Sequence, residues 1–402
     1  MGRHSAPGVA TLGWATLVRS LGSGGVLTLA VLFFVQYRGL PAGHVGLALT
    51  VGGFAGVAAS LPLGKLANGP RSRDVAAVAV AGQGLAVLAF LLVGSLPALV
   101  LAACAASVTE AGSNAARAVL VAGLVTGPER VQVRAKLRAV TNAGSAAAAA
   151  CSGFVLSVDV GWLWNASLVL CAAYLLAAGG LLRLVPRPAA VQVPLGSHRW
   201  EVLRDRPYAL LAVLNAVLTM NLGLLTVALP VWVASRTDVP TGVFGGLILL
   251  NTVLVVLFQV RVARDVTDLP SAVRAVRRCG LLLAVCCGFF AAAAGLPPVV
   301  AVVVLVLGGG AHALGEMVFS AGTWELSYAM APEHAHGQYQ GMFGMSSQLG
   351  NALAPAVTVG LVVALGAWGW LLLGVLLAVS GAAAAALPAM AGGRRASGRA
   401  AA

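Results

Sequence analysis

The sequence predicts an all-α polytopic membrane protein, about twelve transmembrane helices arranged as two parallel six-helix pseudo-repeats. Three observations predict it. Of the 402 residues, 59% are hydrophobic and only 9% charged, where a soluble domain carries roughly 25% charged residues, and the mean hydropathy is +0.94. Apolar stretches of about 20 residues, enough to cross ~30 Å of hydrocarbon, follow one another along the whole chain. The chain also repeats its own punctuation. Leu40-Pro41-Ala42-Gly43 returns as Val239-Pro240-Thr241-Gly242, Gly127-Pro128-Glu129-Arg130 as Ala331-Pro332-Glu333-His334, and Gly161-Trp162-Leu163-Trp164 as Ala367-Trp368-Gly369-Trp370. The separation between copies grows slowly, as a tandem duplication with small insertions requires.

The expected spans are 11–36, 42–66, 75–94, 98–125, 139–158 and 163–185 in the first half. Those of the second are 208–234, 243–262, 279–295, 299–328, 341–365 and 370–387. The first span is expected to stay in place, because Arg19 interrupts its apolar run and no small-residue cleavage site follows it. Gly22, Gly24 and Gly25 allow close helix approach or bending there, and Pro355 is placed to kink the eleventh span. Trp162, Trp164, Trp368 and Trp370 fall where an interfacial aromatic belt belongs. The six cysteines lie within or at the ends of apolar spans, so neither a disulfide nor a metal site is expected. The expected organisation is a six-helix half over 1–185, a proline-containing basic linker over 186–206, a second half over 207–391 and a disordered tail over 392–402.

Basic residues set the orientation. One side collects Lys65, Arg71, Arg73, Arg130, Arg134, Lys136, Arg138, Arg183, Arg187, Arg274, Arg277 and Arg278 among others, and the opposite loops hold only Arg38 and Arg236. The rich side is cytoplasmic by the positive-inside rule, with both termini inside. The same asymmetry accounts for a net charge of +13 without nucleic acid. Scarce lysine beside abundant arginine, alanine, glycine and valine is a bacterial, GC-rich composition, so the cell membrane is the expected location. No nucleotide-binding motif or HExxH sequence occurs in a suitable context, which leaves neither a cofactor nor an enzyme expected.

Two six-span halves, a long central loop and cytoplasmic termini resemble the major facilitator superfamily across nearly the whole chain. The family's best local signature is Gly-x-x-x-Asp followed by basic residues between the second and third spans. It is matched by Gly64-Lys65-Leu66-Ala67-Asn68-Gly69-Pro70-Arg71-Ser72-Arg73, with Asn68 where the family usually has Asp. The resemblance implies a gating role for Gly64, Asn68, Arg71 and Arg73. It also implies that the first, fourth, seventh and tenth spans line a central cavity.

Charges inside a membrane cost at least ~2.5–3.5 kcal/mol each and mark functional candidates. Five fall on those four spans: Arg19, Glu110, Arg117, Glu316 and Glu325. Glu110 and Arg117 share a helix face with Asn114 between them, either as a substrate or proton site or as a structural charge network. His312 and Glu316, four residues apart, form either a proton relay or, for His312, a packing contact to a backbone carbonyl. Glu325 is expected to pair with a basic loop residue. Asn215, Asn221, Gln348 and Asn351 can bond substrate or neighbouring helices. The implied function is secondary active transport by alternating access, with proton-coupled efflux of a small amphipathic or cationic organic compound from a monomer in the lipid bilayer. Alternatives are a facilitator or importer of a small anionic solute, with Arg19 and Arg117 as its ligands, and a transport-dead receptor or assembly subunit.

Overall fold

The computed structural model describes residues 5–125, 129–158, 160–188, 201–240 and 242–400. Among them are twelve long helices and no strand. In chain order these are α1 (Ser5–Leu32, extended by a π-turn at Phe33–Tyr37), α2 (Ala42–Leu66), α3 (Arg71–Phe90), α4 (Leu96–Leu124), α5 (Glu129–Val158) and α6 (Gly161–Arg183). They are followed by α7 (Arg206–Arg236), α8 (Gly242–Arg264), α9 (Leu269–Ala292), α10 (Pro298–Ala329), α11 (His336–Leu365) and α12 (Ala367–Ala400). Eleven are long and apolar enough to cross a membrane. The exception is α5. Its first turns carry Glu129, Arg130, Arg134, Lys136 and Arg138, and its expected membrane stretch is rich in Ala, Ser, Thr and Gly, which give length with little hydropathy. Helix α12 continues through 392–400, where a disordered tail was expected. The central linker lies largely outside the described residues.

The chain divides into two compact units. The first comprises Met1–Thr126, Lys136–Arg199 and Pro332–Met345; the second comprises Gly127–Ala135, Trp200–Ala331 and Ser346–Ala402. Within the first, α1 packs on α6, α2 on α4, and α3 on both α4 and α6. The same four pairings recur six helices later, α7 on α12, α8 on α10, and α9 on both α10 and α12. Small residues bring these helices together. A Cβ on Gly22 would lie 2.7 Å from the Cys171 carbonyl oxygen, and one on Gly24 would lie 2.8 Å from Ser145 Cα, so α1 closes on two neighbours at once.

The tryptophan pairs split. Trp162 and Trp368 are exposed, as a belt requires, but Trp164 and Trp370 are buried. Trp164 stacks on Tyr37, and Trp370 meets Phe290 and Trp232 edge-on. Residues two apart on a helix face nearly opposite directions, so one member of each pair turns into the core.

Helix α7 is not continuous. Regular helix ends at Thr219, a short turn follows at Asn221–Gly223, and a π-turn at Leu224–Ala228 precedes Pro230. Proline lacks an N–H and crowds the carbonyl four residues before it, which the widened turn accommodates.

Candidate functional site

Each unit carries one polar cluster near the middle of its helices. In the first unit, Glu110 is at the midpoint of α4 and Arg19 is near the middle of α1. Arg19 Nη2 donates to Asn114 Oδ1 at 3.0 Å and lies 3.9 Å from Glu110 Oε1. Arg117 Nη2 donates to Thr16 Oγ1 at 2.9 Å, and that hydroxyl donates to the Leu12 carbonyl at 2.7 Å. The structure thus joins Arg19, Glu110 and Asn114 directly and places Arg117 two turns along the same face. The Glu110 side chain is 49% exposed. A carboxylate so exposed halfway along a membrane-crossing helix is a functional candidate, because a charge facing hydrocarbon there would cost several kcal/mol. Two guanidinium groups stand against one carboxylate on this face. Arg19 Nε is buried without a hydrogen-bond partner, which leaves a donor in reserve.

In the second unit, the break in α7 turns the Asn221 carbonyl toward α10, where it accepts from His312 Nε2 at 2.9 Å. His312 Nδ1 meets Asn251 Oδ1 of α8 at 3.2 Å, and Asn251 Nδ2 donates to Glu316 Oε2 at 3.1 Å. His312 and Glu316 are both almost fully buried. His312 thus makes the expected contact to a backbone carbonyl with one ring nitrogen, and with the other it meets Asn251, which links it to Glu316. Asn221 uses its side chain on the Leu218 carbonyl at 2.6 Å, and Asn215 donates to Ser346 and Ser347 of α11. Asn351 is exposed.

The gating candidates separate into two groups. A Cβ on Gly64 would lie 2.6 Å from the Gly337 carbonyl oxygen and from Gly341 Cα, so α2 and the first turns of α11 meet backbone to backbone within the first unit. Asn68 completes that contact. Its Nδ2 donates to the His334 carbonyl at 2.8 Å and its Oδ1 accepts from the Gly337 N–H at 3.2 Å. An amide supplies the donor and the acceptor together, which an ionised carboxylate cannot do. Arg73 turns away to Asp74, donating through Nε and Nη2 at 3.0 and 2.8 Å, and Arg187 donates to the other Asp74 oxygen at 3.0 Å. Arg71 is exposed.

Sequence reasoning passed over three features. Asn251 was signalled by its place as an amide directly after the apolar run Leu247–Leu250. Asp74 organises the basic residues after α2. Arg134 is half-buried in the second unit, with its guanidinium 3.3 Å from the Trp324 ring centroid and its Nε donating to Tyr328 Oη at 3.0 Å. Glu325 lines the small cleft beside it with Arg130 and Gln259.

Comparison with known proteins agrees with this architecture. A family model described as Major Facilitator Superfamily matches residues 12–355. The chain belongs to the major facilitator superfamily, whose members are membrane transporters rather than enzymes. No curated protein matches the chain. Among solved structures, the human organic anion transporter TETRAN is 16% identical, covering 94% of this chain and 99% of its own, with a TM-score of 0.71. A bacterial homologue of the iron transporter ferroportin in an outward-facing state is 16% identical, covering 94% and 98%, with a TM-score of 0.70. The E. coli fucose:proton symporter is 12% identical, covering 95% and 98%, with a TM-score of 0.73. At these identities the likeness establishes the fold.

Proposed function

We propose that this chain is a secondary transporter of the bacterial cell membrane, with both termini cytoplasmic, that couples protons to the movement of a small amphipathic organic molecule bearing a carboxylate or similar anionic group. One observation carries the choice of cargo. Arg19 and Arg117 bring two guanidinium groups to the face of α1 and α4 where Glu110 is half-exposed, and guanidinium groups hold carboxylates through charge-assisted hydrogen bonds. The buried His312–Asn251–Glu316 cluster is the proton-carrying element, since an imidazole and a carboxylate linked by an amide supply groups that can exchange protons. The gradient supplies the energy, because the sequence has no nucleotide-binding motif. Gly64 and Asn68 form the contact that opens and closes during alternating access, and Arg71 and Arg73 flank it from the first turn of α3.

A second reading, proton-exchanging export of a cationic compound, is favoured by the half-exposed Glu110 side chain. One experiment separates the two. Purified protein in vesicles with a preformed pH gradient is challenged in turn with organic anions and organic cations. Gradient collapse by anions, weakened in Arg19→Ala, supports the first reading; collapse by cations alone, lost in Glu110→Gln, replaces it with the second.

A further inference from the structure

The second-unit cluster holds a constraint beyond its two titratable groups, and the inference drawn from it rests on the proton-coupled reading above. His312 Nε2 faces the Asn221 carbonyl, which can only accept, so Nε2 carries a proton. Nδ1 faces Asn251 Oδ1, and Asn251 Nδ2 faces Glu316 Oε2. With the amide in this orientation Oδ1 accepts, so Nδ1 needs a proton too. The cluster is then an imidazolium and a carboxylate bridged by the amide.

The two ends of an amide have nearly the same shape, and a turn of about 180° about the terminal torsion exchanges them. In the turned orientation Nδ2–H donates to the lone pair of a neutral Nδ1, and Oδ1 accepts from a protonated Glu316. The protons balance between these two states. One leaves Nδ1, one arrives on Oε2, and none is gained or lost. The state with Nδ1 and Glu316 both unprotonated suits neither orientation. Whichever way the amide faces, one of its contacts then sets an acceptor against an acceptor.

We propose that Asn251 is a positioning residue that makes one proton the common property of His312 and Glu316, its amide turning as the proton changes place. Few other titratable side chains stand on the helices packed around the pair. Between 209 and 235, α7 carries no acidic, basic or thiol side chain, and neither does α8 between 243 and 260. Helix α9 offers only the thiols of Cys279, Cys286 and Cys287 beside this stretch, and α10 itself adds Glu325 and Tyr328 more than two turns away.

The test is a cycle read by nitrogen NMR on histidine-labelled protein in bilayers, with His312 assigned by its loss in His312→Asn. At neutral pH, Glu316→Gln should change the population of His312 protonated at Nδ1 at least about fivefold in the otherwise native chain, and less than about twofold when added to Asn251→Leu. Asn251→Ala, which removes the amide and adds no bulk, serves where the leucine variant fails to assemble, and the coupling should fall in the same way. An equal response to Glu316→Gln with and without Asn251 overturns the proposal. Proton-driven flux is measured on the same proteins. Coupling lost in the NMR cycle with flux and its pH profile unchanged upholds the shared proton and overturns the transport reading instead.

Discussion

The two polar clusters are built on opposite principles. In the first unit, the guanidinium groups of Arg19 and Arg117 stand on the face that carries the half-exposed Glu110 carboxylate. In the second, a buried imidazole and carboxylate are joined through an amide, and the imidazole also meets a backbone carbonyl at the break in α7. An exposed, ionic face suits recognition of a charged solute that arrives with its own hydration and leaves again. A buried pair with a balanced proton count suits changes of protonation, because burial makes an unmatched hydrogen bond expensive. The duplicated helix pairings therefore carry two different chemistries.

The largest effect expected is at the buried cluster. Glu316→Gln keeps the shape but removes the proton-exchanging carboxylate, and gradient-driven flux should fall by about two orders of magnitude with assembly unchanged. Flux near the native level in that variant would end the division of roles. Next comes the exposed face. Arg19→Ala removes a charged donor, and solute affinity should fall roughly 10–100-fold, the size of ~1.5–3 kcal/mol, while protons still move with each solute. Equilibrium binding together with proton counting checks both halves of that statement.

Smaller effects test the support around the first cluster. Gly64→Ala forces a methyl group against the backbone of α11 and should lower stability by about 1–3 kcal/mol, read as a lower Tm in detergent. Asn68→Asp removes the donor to His334, a loss of ~1 kcal/mol or more, yet places a negative charge at the start of α11, which returns ~0.3–1 kcal/mol. A net change below about 1 kcal/mol is expected, and Asn68→Ala should cost more because it loses both bonds. The smallest effect lies between α8 and α9. There Asp268 caps α9 reciprocally with Ser271, and the Ser271 hydroxyl and N–H hold its carboxyl below the usual range. A lowered folded value means that the contribution is present above the unfolded value near ~3.9 and is lost as pH falls through the folded one. Thermal melts of Asp268→Asn should therefore match those of the native chain only in acid.

Much of this was legible in the chain. Twelve helices follow from apolar lengths and recurring Pro, Gly and Trp, because the bilayer fixes how long a helix must be. The least legible was α5, whose alanine and serine content gives little hydropathy. Charged candidates were legible because charge in a membrane is costly enough to stand out. Their partners were not. Whether Arg19 meets Asn114, or His312 meets Asn251, depends on helix azimuths and on the α7 break, and neither leaves a fixed spacing in one sequence. Trp164 and Trp370 teach the same lesson: position along the helix was readable, the face was not.

The most direct test counts protons and solute together in vesicles, with an organic anion as cargo. The account predicts that Arg19→Ala loses affinity but keeps the native number of protons moved per solute, while Glu316→Gln still binds the anion and moves no protons. Proton movement surviving in Glu316→Gln, or undiminished anion affinity in Arg19→Ala, would contradict it.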